Sequence, residues 1–176
     1  MTERIIIAGA GGQGIMLLGK ILAEAGMLVK KNVTWFPCYG AEVRGGTAYC
    51  MVVLSDSEIG SPYVERADTL FIMNSPSLNK FRNKIKKGGL MIINSSLAKR
   101  YSTKGIKLAQ HPFTEIAQRI GNIKVANMVA LGCFLAHKNI FAPNDIVKAI
   151  YSLTPENKKG LIRINKVALE EGVRLR

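Results

Sequence analysis

The chain has 176 residues, 48% of them hydrophobic and 21% charged, which is enough apolar material for the core of one globular domain and excludes a disordered protein. Its longest uncharged run, Ile5 to Gly19, is shorter than the roughly 20 residues of a membrane-spanning helix and is interrupted by glycines. The net charge of +13 favours an anionic partner.

Strands and helices alternate along the first two thirds of the chain. The apolar run at residues 4–8 predicts a strand, and apolar residues at helical spacing predict a helix over about 15–31. Ser75 and Pro76 predict the start of a helix that continues to the glycine pair at 88–89. Further strands are predicted at Val33–Phe36, Thr47–Leu54, 69–74, 90–94 and 106–110.

From Pro112 onward the sequence is typical of helices, which are predicted at about 113–120, 126–137, 144–152 and 158–171. Strands that alternate with helices indicate a mostly parallel sheet with helices on both faces. The predicted fold is therefore α/β, a Rossmann-like three-layer arrangement with a helical C-terminal part. We expect residues 1–176 to form a single domain.

Cysteine usage and the start of the sequence both predict a cytoplasmic protein. Cys38, Cys50 and Cys133 are odd in number and widely spaced, and no CxxC pair occurs. This pattern favours three reduced thiols over a disulfide framework, a zinc site or an iron–sulfur cluster. Glu3 and Arg4 lead directly into the first strand, without the apolar segment of a signal peptide. We expect this chain to bind no metal and no membrane.

Basic residues are concentrated in the middle of the chain, where no acidic residue occurs between Asp68 and Glu115. This concentration of positive charge would attract nucleic acid, a phosphate-bearing cofactor or an acidic protein. The alternative interpretation is a solvated surface without a partner. The basic residues of this stretch are Lys80, Arg82, Lys84, Lys86, Lys87, Lys99, Arg100, Lys104 and Lys107.

A glycine-rich turn joins the first predicted strand to the first helix. Gly9, Gly11 and Gly14 match G-x-G-x-x-G, a pattern that lets a phosphate approach the free N–H groups of a helix N-terminus. A dinucleotide site also needs an acidic residue about 20 positions further on, yet none occurs between Glu24 and Glu42. Three interpretations stay open: a tight turn without ligand, an adenine dinucleotide site, and a site for another anion.

A second glycine-rich segment, "YGAEVRGG", separates two predicted strands and is expected at the same edge of the sheet. Arg44 is suited to bidentate hydrogen bonds with a carboxylate or phosphate, and Glu42 is suited to orienting it. An internal Glu–Arg pair that braces the segment is the alternative interpretation.

Four motifs, "GAGGQGI", "YGAEVRGGTA", "SDSEIGSP" and "ANMVALG", occur in this order between Arg4 and Cys133. Together they resemble the gamma subunit of the 2-oxoacid:ferredoxin oxidoreductases, and most closely that of the 2-oxoglutarate enzymes. Pyruvate-type relatives tend to carry Phe-Gly where this chain has Tyr39 and Gly40. The family usually has proline after this pair, whereas Ala41 stands here.

Enzymes of this family decarboxylate a 2-oxo acid on thiamine diphosphate, pass electrons through iron–sulfur clusters to ferredoxin, and transfer the acyl group to coenzyme A. The resemblance implies that thiamine diphosphate, Mg and the clusters belong to alpha, beta and ferredoxin-like delta partner subunits. It implies for this chain a role in completing the hetero-oligomer and in forming the approach for coenzyme A, with no catalytic residue of its own.

The residues expected at that approach come from both glycine-rich segments and from the last motif. Asn127 is predicted to cap the helix that carries "ANMVALG" and to bond a neighbouring loop. The full set is Gly9, Gly11, Gly12, Gln13, Gly14, Tyr39, Gly40, Glu42, Arg44, Gly45, Gly46 and Asn127.

Three alternative functions stay open. A gamma subunit that acts on pyruvate or another 2-oxo acid would keep every motif. A basic nucleic-acid-binding protein fits the charge, although the aromatic residues do not alternate with the lysines. An NAD(P)-dependent oxidoreductase fits the glycine turn alone.

Overall fold

A computed structural model describes residues 1–38 and 47–175. In these ranges six strands form one sheet in the order β2-β3-β1-β4-β5-β6. β3 is antiparallel to β1 and β2, whereas the β1–β4, β4–β5 and β5–β6 pairs are parallel. The strands are β1 (Thr2–Ala10), β2 (Asn32–Cys38), β3 (Thr47–Ser55), β4 (Ala67–Ile72), β5 (Ile85–Asn94) and β6 (Lys107–His111). Five strands therefore point the same way, which confirms the predicted α/β class.

The α-helices within the described ranges are α1 (Ile15–Leu28), α2 (Ser75–Phe81), α3 (Phe113–Ile120), α4 (Ala126–His137), α5 (Pro143–Leu153) and α6 (Ile162–Val173). Short 3-10 turns occur at Arg82–Lys84, Ile123–Val125 and Glu156–Leu161. None of the helices in these ranges is long and apolar enough to cross a membrane.

The sheet separates two hydrophobic cores because successive side chains of each strand point to opposite faces. Ile5 and Ile7 of β1 belong to the larger core, which is completed by α1 and by α3 to α6. Ile6 and Ala8 belong to the smaller core, which α2 and the connecting segments cover. Helices thus lie on both faces, as predicted, but among the described residues one face carries five α-helices and the other only α2.

The predicted helix over 75–88 is wrong in its second half. α2 ends at Phe81, and β5 begins at Ile85, which pairs with Ala67 at the start of β4. Gly88 (φ +77°) lies inside β5, at a register shift of the β4–β5 pair. These glycines therefore lie at an irregularity within a strand and do not end a helix.

The predicted bounds of two other helices differ from the observed ones by a few residues. α1 ends at Leu28, and Lys30 takes the left-handed conformation (φ +60°) that usually follows a helix C-terminus. The final helix begins at Ile162 after a 3-10 turn, later than the predicted residue 158.

Candidate functional site at the carboxyl edge of the sheet

The glycine turn lies at the edge of the sheet where the parallel strands end. Ala10, the last residue of β1, is the register partner of Thr47, the first residue of β3. Cys38, the last residue of β2, is the partner of Tyr49. The residues that flank segment 39–46 therefore lie at the same edge as the glycine turn. In α/β sheets ligands bind at this edge, where connections leave neighbouring strands in opposite directions, as they do from β1 and β4 here.

The turn itself is held by the side chain of Gln13. Its Oε1 accepts a hydrogen bond from the Ala10 N–H (2.7 Å), and its Nε2 donates to the carbonyl oxygen of Met73 (3.2 Å). Gly12 (φ +85°) and Gly14 (φ +70°) adopt the left-handed conformation that glycine tolerates best. Gln13 thereby ties the end of β1 to the residue that follows β4.

The glycines of the motif differ in their surroundings. A Cβ added at Gly9 would lie 2.6 Å from Gln13 Oε1 and 2.9 Å from Met73 Cβ, so Gly9 is needed for packing. A Cβ at Gly14 would overlap the amide of Asn127. Gly11 and Gly12, in contrast, have no atom within 4 Å of that position, so their backbone faces open space. This central part of the turn is therefore exposed and open to a ligand.

Asn127 is the second residue of α4 and is buried. The prediction that it caps this helix is wrong, because the N-cap is Val125 and Asn122 caps the preceding 3-10 turn. The prediction that it bonds a neighbouring loop is confirmed, since its Nδ2 donates to the Gly14 carbonyl oxygen (3.2 Å). α4 begins at Ala126, two residues earlier than a capping role for Asn127 would require.

Sequence reasoning missed the polar group at the end of β5. Asn94 is fully buried, and its Nδ2 donates to Thr114 Oγ1 (2.8 Å) and to the Met73 carbonyl oxygen (3.5 Å). Its Oδ1 accepts from the N–H groups of Ser96 and Thr114. Asn94 and Gln13 therefore meet at one carbonyl. An asparagine that ends an otherwise apolar strand, as in "LMIIN", was the available signal.

A cavity of about 170 Å³ opens beside the turn. It is lined by Gly12, Gln13, Met73, Leu97, Thr114, Ile123, Lys124 and Ala126. Pockets for drug-sized ligands usually measure about 300–1,000 Å³, so this one fits a phosphate or a narrow arm of a ligand and is too small for a whole dinucleotide. α1, α3 and α4 all begin next to this cavity, and the positive ends of their helix dipoles make its surroundings favourable for an anion.

The remaining predicted site residues, Tyr39, Gly40, Glu42, Arg44, Gly45 and Gly46, lie outside the described residues. Within the described ranges no three His, Cys, Asp or Glu side chains are grouped so as to hold a metal ion. The thiols of Cys50 and Cys133 are buried, and burial raises the pKa of each to about 12. Neither thiol is therefore a nucleophile at neutral pH.

The fold and the glycine turn together define a Rossmann-like α/β domain that presents backbone N–H groups at the carboxyl edge of its sheet. Sequence comparison gives the family. The chain belongs to the pyruvate ferredoxin/flavodoxin oxidoreductase family, which matches residues 4–175. The family resemblance predicted from the four motifs is thereby confirmed.

Two relatives show the range of enzymes with this domain. The ketoisovalerate oxidoreductase subunit VorA of Methanothermobacter thermautotrophicus is 35% identical over 169 residues, which cover 96% of this chain and 35% of that protein. The 2-oxoglutarate synthase subunit KorC of Methanocaldococcus jannaschii is 34% identical over 176 residues, which cover 98% of this chain and 92% of that protein. The chain thus spans about a third of VorA and nearly all of KorC.

Two solved structures share the fold. The keto/oxoacid ferredoxin oxidoreductase gamma subunit of Geobacter sulfurreducens superposes with a TM-score of 0.84 at 28% identity, covering 98% of this chain and 96% of that one. The 2-oxoglutarate:ferredoxin oxidoreductase of Magnetococcus marinus, solved with 2-oxoglutarate, coenzyme A and succinyl-CoA bound, superposes with a TM-score of 0.89 at 22% identity, covering 99% of this chain and 31% of that one.

Proposed function

We propose that this chain is the gamma subunit of a 2-oxoacid:ferredoxin oxidoreductase, and that 2-oxoglutarate is the 2-oxo acid. The match to KorC, which covers nearly the full length of both chains, supports the 2-oxoglutarate assignment. In this proposal the assembled enzyme forms an acyl-CoA and reduces ferredoxin. The partner subunits, alpha, beta and a ferredoxin-like delta, hold thiamine diphosphate with Mg and the iron–sulfur clusters.

The proposed task of this chain is to form part of the path by which coenzyme A reaches the thiamine site. The observation that carries this proposal is the open backbone of Gly11 and Gly12 beside the cavity at the carboxyl edge. Coenzyme A carries several phosphates and ends in a narrow thiol arm. Free N–H groups and Lys124 suit the phosphates, whereas the small cavity suits the arm.

Arg44 belongs to the proposal on the basis of sequence. Its guanidinium would bind a phosphate or the carboxylate of a substrate in a bidentate manner, with Glu42 beside it. The two residues that flank its segment, Cys38 and Thr47, lie at the same edge as Gly11. This placement supports a shared site with the glycine turn.

The second part of the proposed task is to complete the assembly. β2 is an edge strand, and none of the described strands pairs with its outer side. On α1, which packs beside β2, the large apolar side chains of Leu17, Met27 and Leu28 are exposed, and Phe36 of β2 is exposed on the opposite face of the sheet. Exposed apolar groups of this kind support a permanent subunit contact in this region.

The test uses the assembled enzyme, purified from cells that co-express the partner subunits, and compares Gly11→Ala with Gly160→Ala. At both positions an added Cβ meets no protein atom, so neither change perturbs packing. Gly11→Ala is expected to raise the KM for coenzyme A by about tenfold or more, because the methyl group occupies space reserved for the ligand. Gly160→Ala is expected to leave it unchanged.

The outcome separates the two parts of the proposal. Unchanged coenzyme A kinetics in Gly11→Ala and in Arg44→Ala would remove the glycine turn and Arg44 from the coenzyme A path. Loss of assembly in these variants would instead identify the segments as subunit contacts. An assembled complex without 2-oxo acid oxidation would overturn the proposed activity itself.

A branched-chain 2-oxo acid is the second candidate substrate, and the 35% identity to VorA favours it. The ratio of kcat/KM values for 2-oxoglutarate, ketoisovalerate and pyruvate decides among the substrates. The proposal predicts the highest value for 2-oxoglutarate, and a higher value for either of the others would reassign the enzyme.

A further inference from the structure

Eight of the nine basic residues between Lys80 and Lys107 lie on one layer of the molecule, which we name the basic layer. It consists of α2, the 3-10 turn that follows it, the start of β5 and the segment 95–106. The ninth, Lys107, is in register with Leu90 of the larger core and points to the opposite face of the sheet. α2 and segment 95–106 supply Leu78, Phe81 and Ala98 to the smaller core. All of these elements therefore cover the same face of the sheet.

Two backbone contacts hold the parts of this layer together. The Gly88 N–H donates to the Gly105 carbonyl oxygen (2.7 Å), which brings Lys87 next to Lys104. The Ser75 N–H donates to the Leu97 carbonyl oxygen (3.0 Å), and this contact places segment 95–106 against the start of α2. The charges are far apart in sequence but share one surface.

The positive charge of the basic layer is almost uncompensated. Among the described residues only Lys86 of the eight forms an ion pair, with Asp68 (2.6 Å). Six of the eight are exposed: Lys80, Arg82, Lys87, Lys99, Arg100 and Lys104. A surface of one sign produces a potential that extends about a Debye length, roughly 8 Å at physiological salt.

The composition of the layer indicates what kind of partner it fits. Between residues 75 and 107, all of which the structure describes, Leu97 (47% exposed) is the only exposed large apolar side chain. Permanent interfaces are depleted in lysine and rich in apolar groups, whereas transient encounters rely on steering by charge. The aromatic residues of the range do not form a stacking platform for nucleic acid, because Phe81 is buried and Tyr101 is half-buried.

We propose that the basic layer is a transient docking surface for a small acidic protein, and that this protein is the ferredoxin that accepts electrons from the assembled enzyme. This inference rests on the proposed function. The layer would attract the carrier electrostatically and increase its rate of association, while the reacting groups stay in the partner subunits.

The experiment uses the assembled enzyme with Arg82, Lys87 and Lys104 all changed to Glu. These residues lie near the amino ends of β5 and β6, away from the glycine turn. The matched control changes Lys148, Lys158 and Arg163 to Glu, which are exposed residues on the opposite layer. Each triple variant lowers the formal net charge from +13 to +7. Activity is measured with an acidic ferredoxin and with the small cationic dye methyl viologen.

The expected result is a rise in the ferredoxin KM of about tenfold or more at low salt in the first variant, with methyl viologen activity unchanged. The control variant is expected to keep the parental ferredoxin KM. In the parental enzyme, the ferredoxin KM is expected to rise with KCl, and this dependence is expected to weaken in the first variant.

Three results would overturn the docking proposal. An unchanged ferredoxin KM in the first variant is one, and an equal rise in the control is another. The third combines two observations: the parental enzyme and the control bind a duplex DNA or tRNA probe tightly at physiological salt and the first variant does not, while the ferredoxin kinetics of the first variant are unaltered. Absence of methyl viologen activity in the parental enzyme would instead contradict the proposed function.

Discussion

Asn127 Nδ2 donates a 3.2 Å hydrogen bond to the carbonyl oxygen of Gly14, and so joins the first turn of α4 to the residue that precedes α1. The two residues are 113 positions apart in sequence, and Asn127 is only 2% exposed. The bond fixes the position of the glycine turn from the side of the larger core.

Replacing Asn127 with Ala is expected to lower the free energy of unfolding by about 1–3 kcal/mol, because the Gly14 carbonyl keeps only its bond from the Leu18 N–H and a small void remains at the buried Asn127 position. Urea unfolding followed by circular dichroism measures the change. Asn79→Ala, at an exposed position of α2, is the control and is expected to stay within about 0.5 kcal/mol. Equal stability of the two variants would show that the Gly14 contact contributes nothing.

Gly132 of α4 and Gly172 of α6 allow these helices to touch backbone to backbone. A Cβ at Gly132 would lie 2.8 Å from Gly172 Cα and would overlap the carbonyl oxygen of Leu169. Gly132→Ala is therefore expected to destabilise the protein by about 1–3 kcal/mol, although alanine favours helix formation. The midpoint of urea unfolding measures this effect. An increase in stability would mean that the helices can separate freely.

Glu3 forms a largely buried ion pair between the start of β1 and the end of α4. Its carboxylate accepts from Lys138 Nζ (2.9 Å) and from Thr69 Oγ1 (2.6 Å), and the Glu3 side chain is 6% exposed. Glu3→Gln is expected to cost about 2 kcal/mol, less than a fully buried pair, because the Lys138 side chain is 27% exposed.

The double variant Glu3→Gln with Lys138→Met tests whether this cost comes from the pair. Its free energy of unfolding should exceed that expected from adding the two single changes. The exposed pair of Lys166 and Glu170, at 3.9 Å, is the control and should contribute less than about 0.5 kcal/mol. Strict additivity at Glu3 and Lys138 would contradict the coupling.

The cysteines are expected to differ in reactivity. Burial raises the pKa of Cys50 and of Cys133 to about 12, so both stay protonated and inaccessible at about pH 8, whereas Cys38 is only half-buried. An aromatic disulfide reagent should label Cys38 in the native chain and the other two only after unfolding. Cys38→Ser should abolish native labelling, and rapid labelling of that variant would contradict the assignment.

These thiols also make stability depend on alkaline pH. The folded chain retains protons that the unfolded chain releases near pH 9, so the contribution of each thiol is complete below pH 9. It is lost as the pH rises toward 12, at about 1.4 kcal/mol per pH unit for each thiol. Unfolding free energies from pH 8 to 10 measure the slope, which should be smaller in Cys133→Ala.

The periodicity of the sequence predicted most elements of the fold because each strand is a short apolar run next to turn residues. It failed at residues 82–89, where Ile85 continues the helical spacing of Leu78 and Phe81 but pairs with β4. Helical and strand patterns coincide there over too few residues to be distinguished, and the long-range pairing with Ala67 decides the outcome.

At the candidate site, the local motif predicted the strand–turn–helix at Gly9–Gly14, since its chemistry is contained within a few residues. The contacts of Gln13 with Met73 and of Asn94 with Thr114 join residues that are distant in sequence. No single segment encodes such a pair. Asn127 shows both kinds of outcome. The prediction that it caps α4 required the exact first residue of the helix and is wrong, whereas its bond to Gly14 is formed by the fold, which brings the two segments together.

Because three helices begin next to the cavity, its attraction to anions does not depend on pH in the way that the charge of a titratable side chain would. Peptide dipoles carry no titratable proton, so the partial positive charge contributed by α1, α3 and α4 persists at every pH at which the helices are folded. A cavity that relied on histidine would release its anion as the solution became alkaline. Here the backbone retains its attraction until the domain itself unfolds.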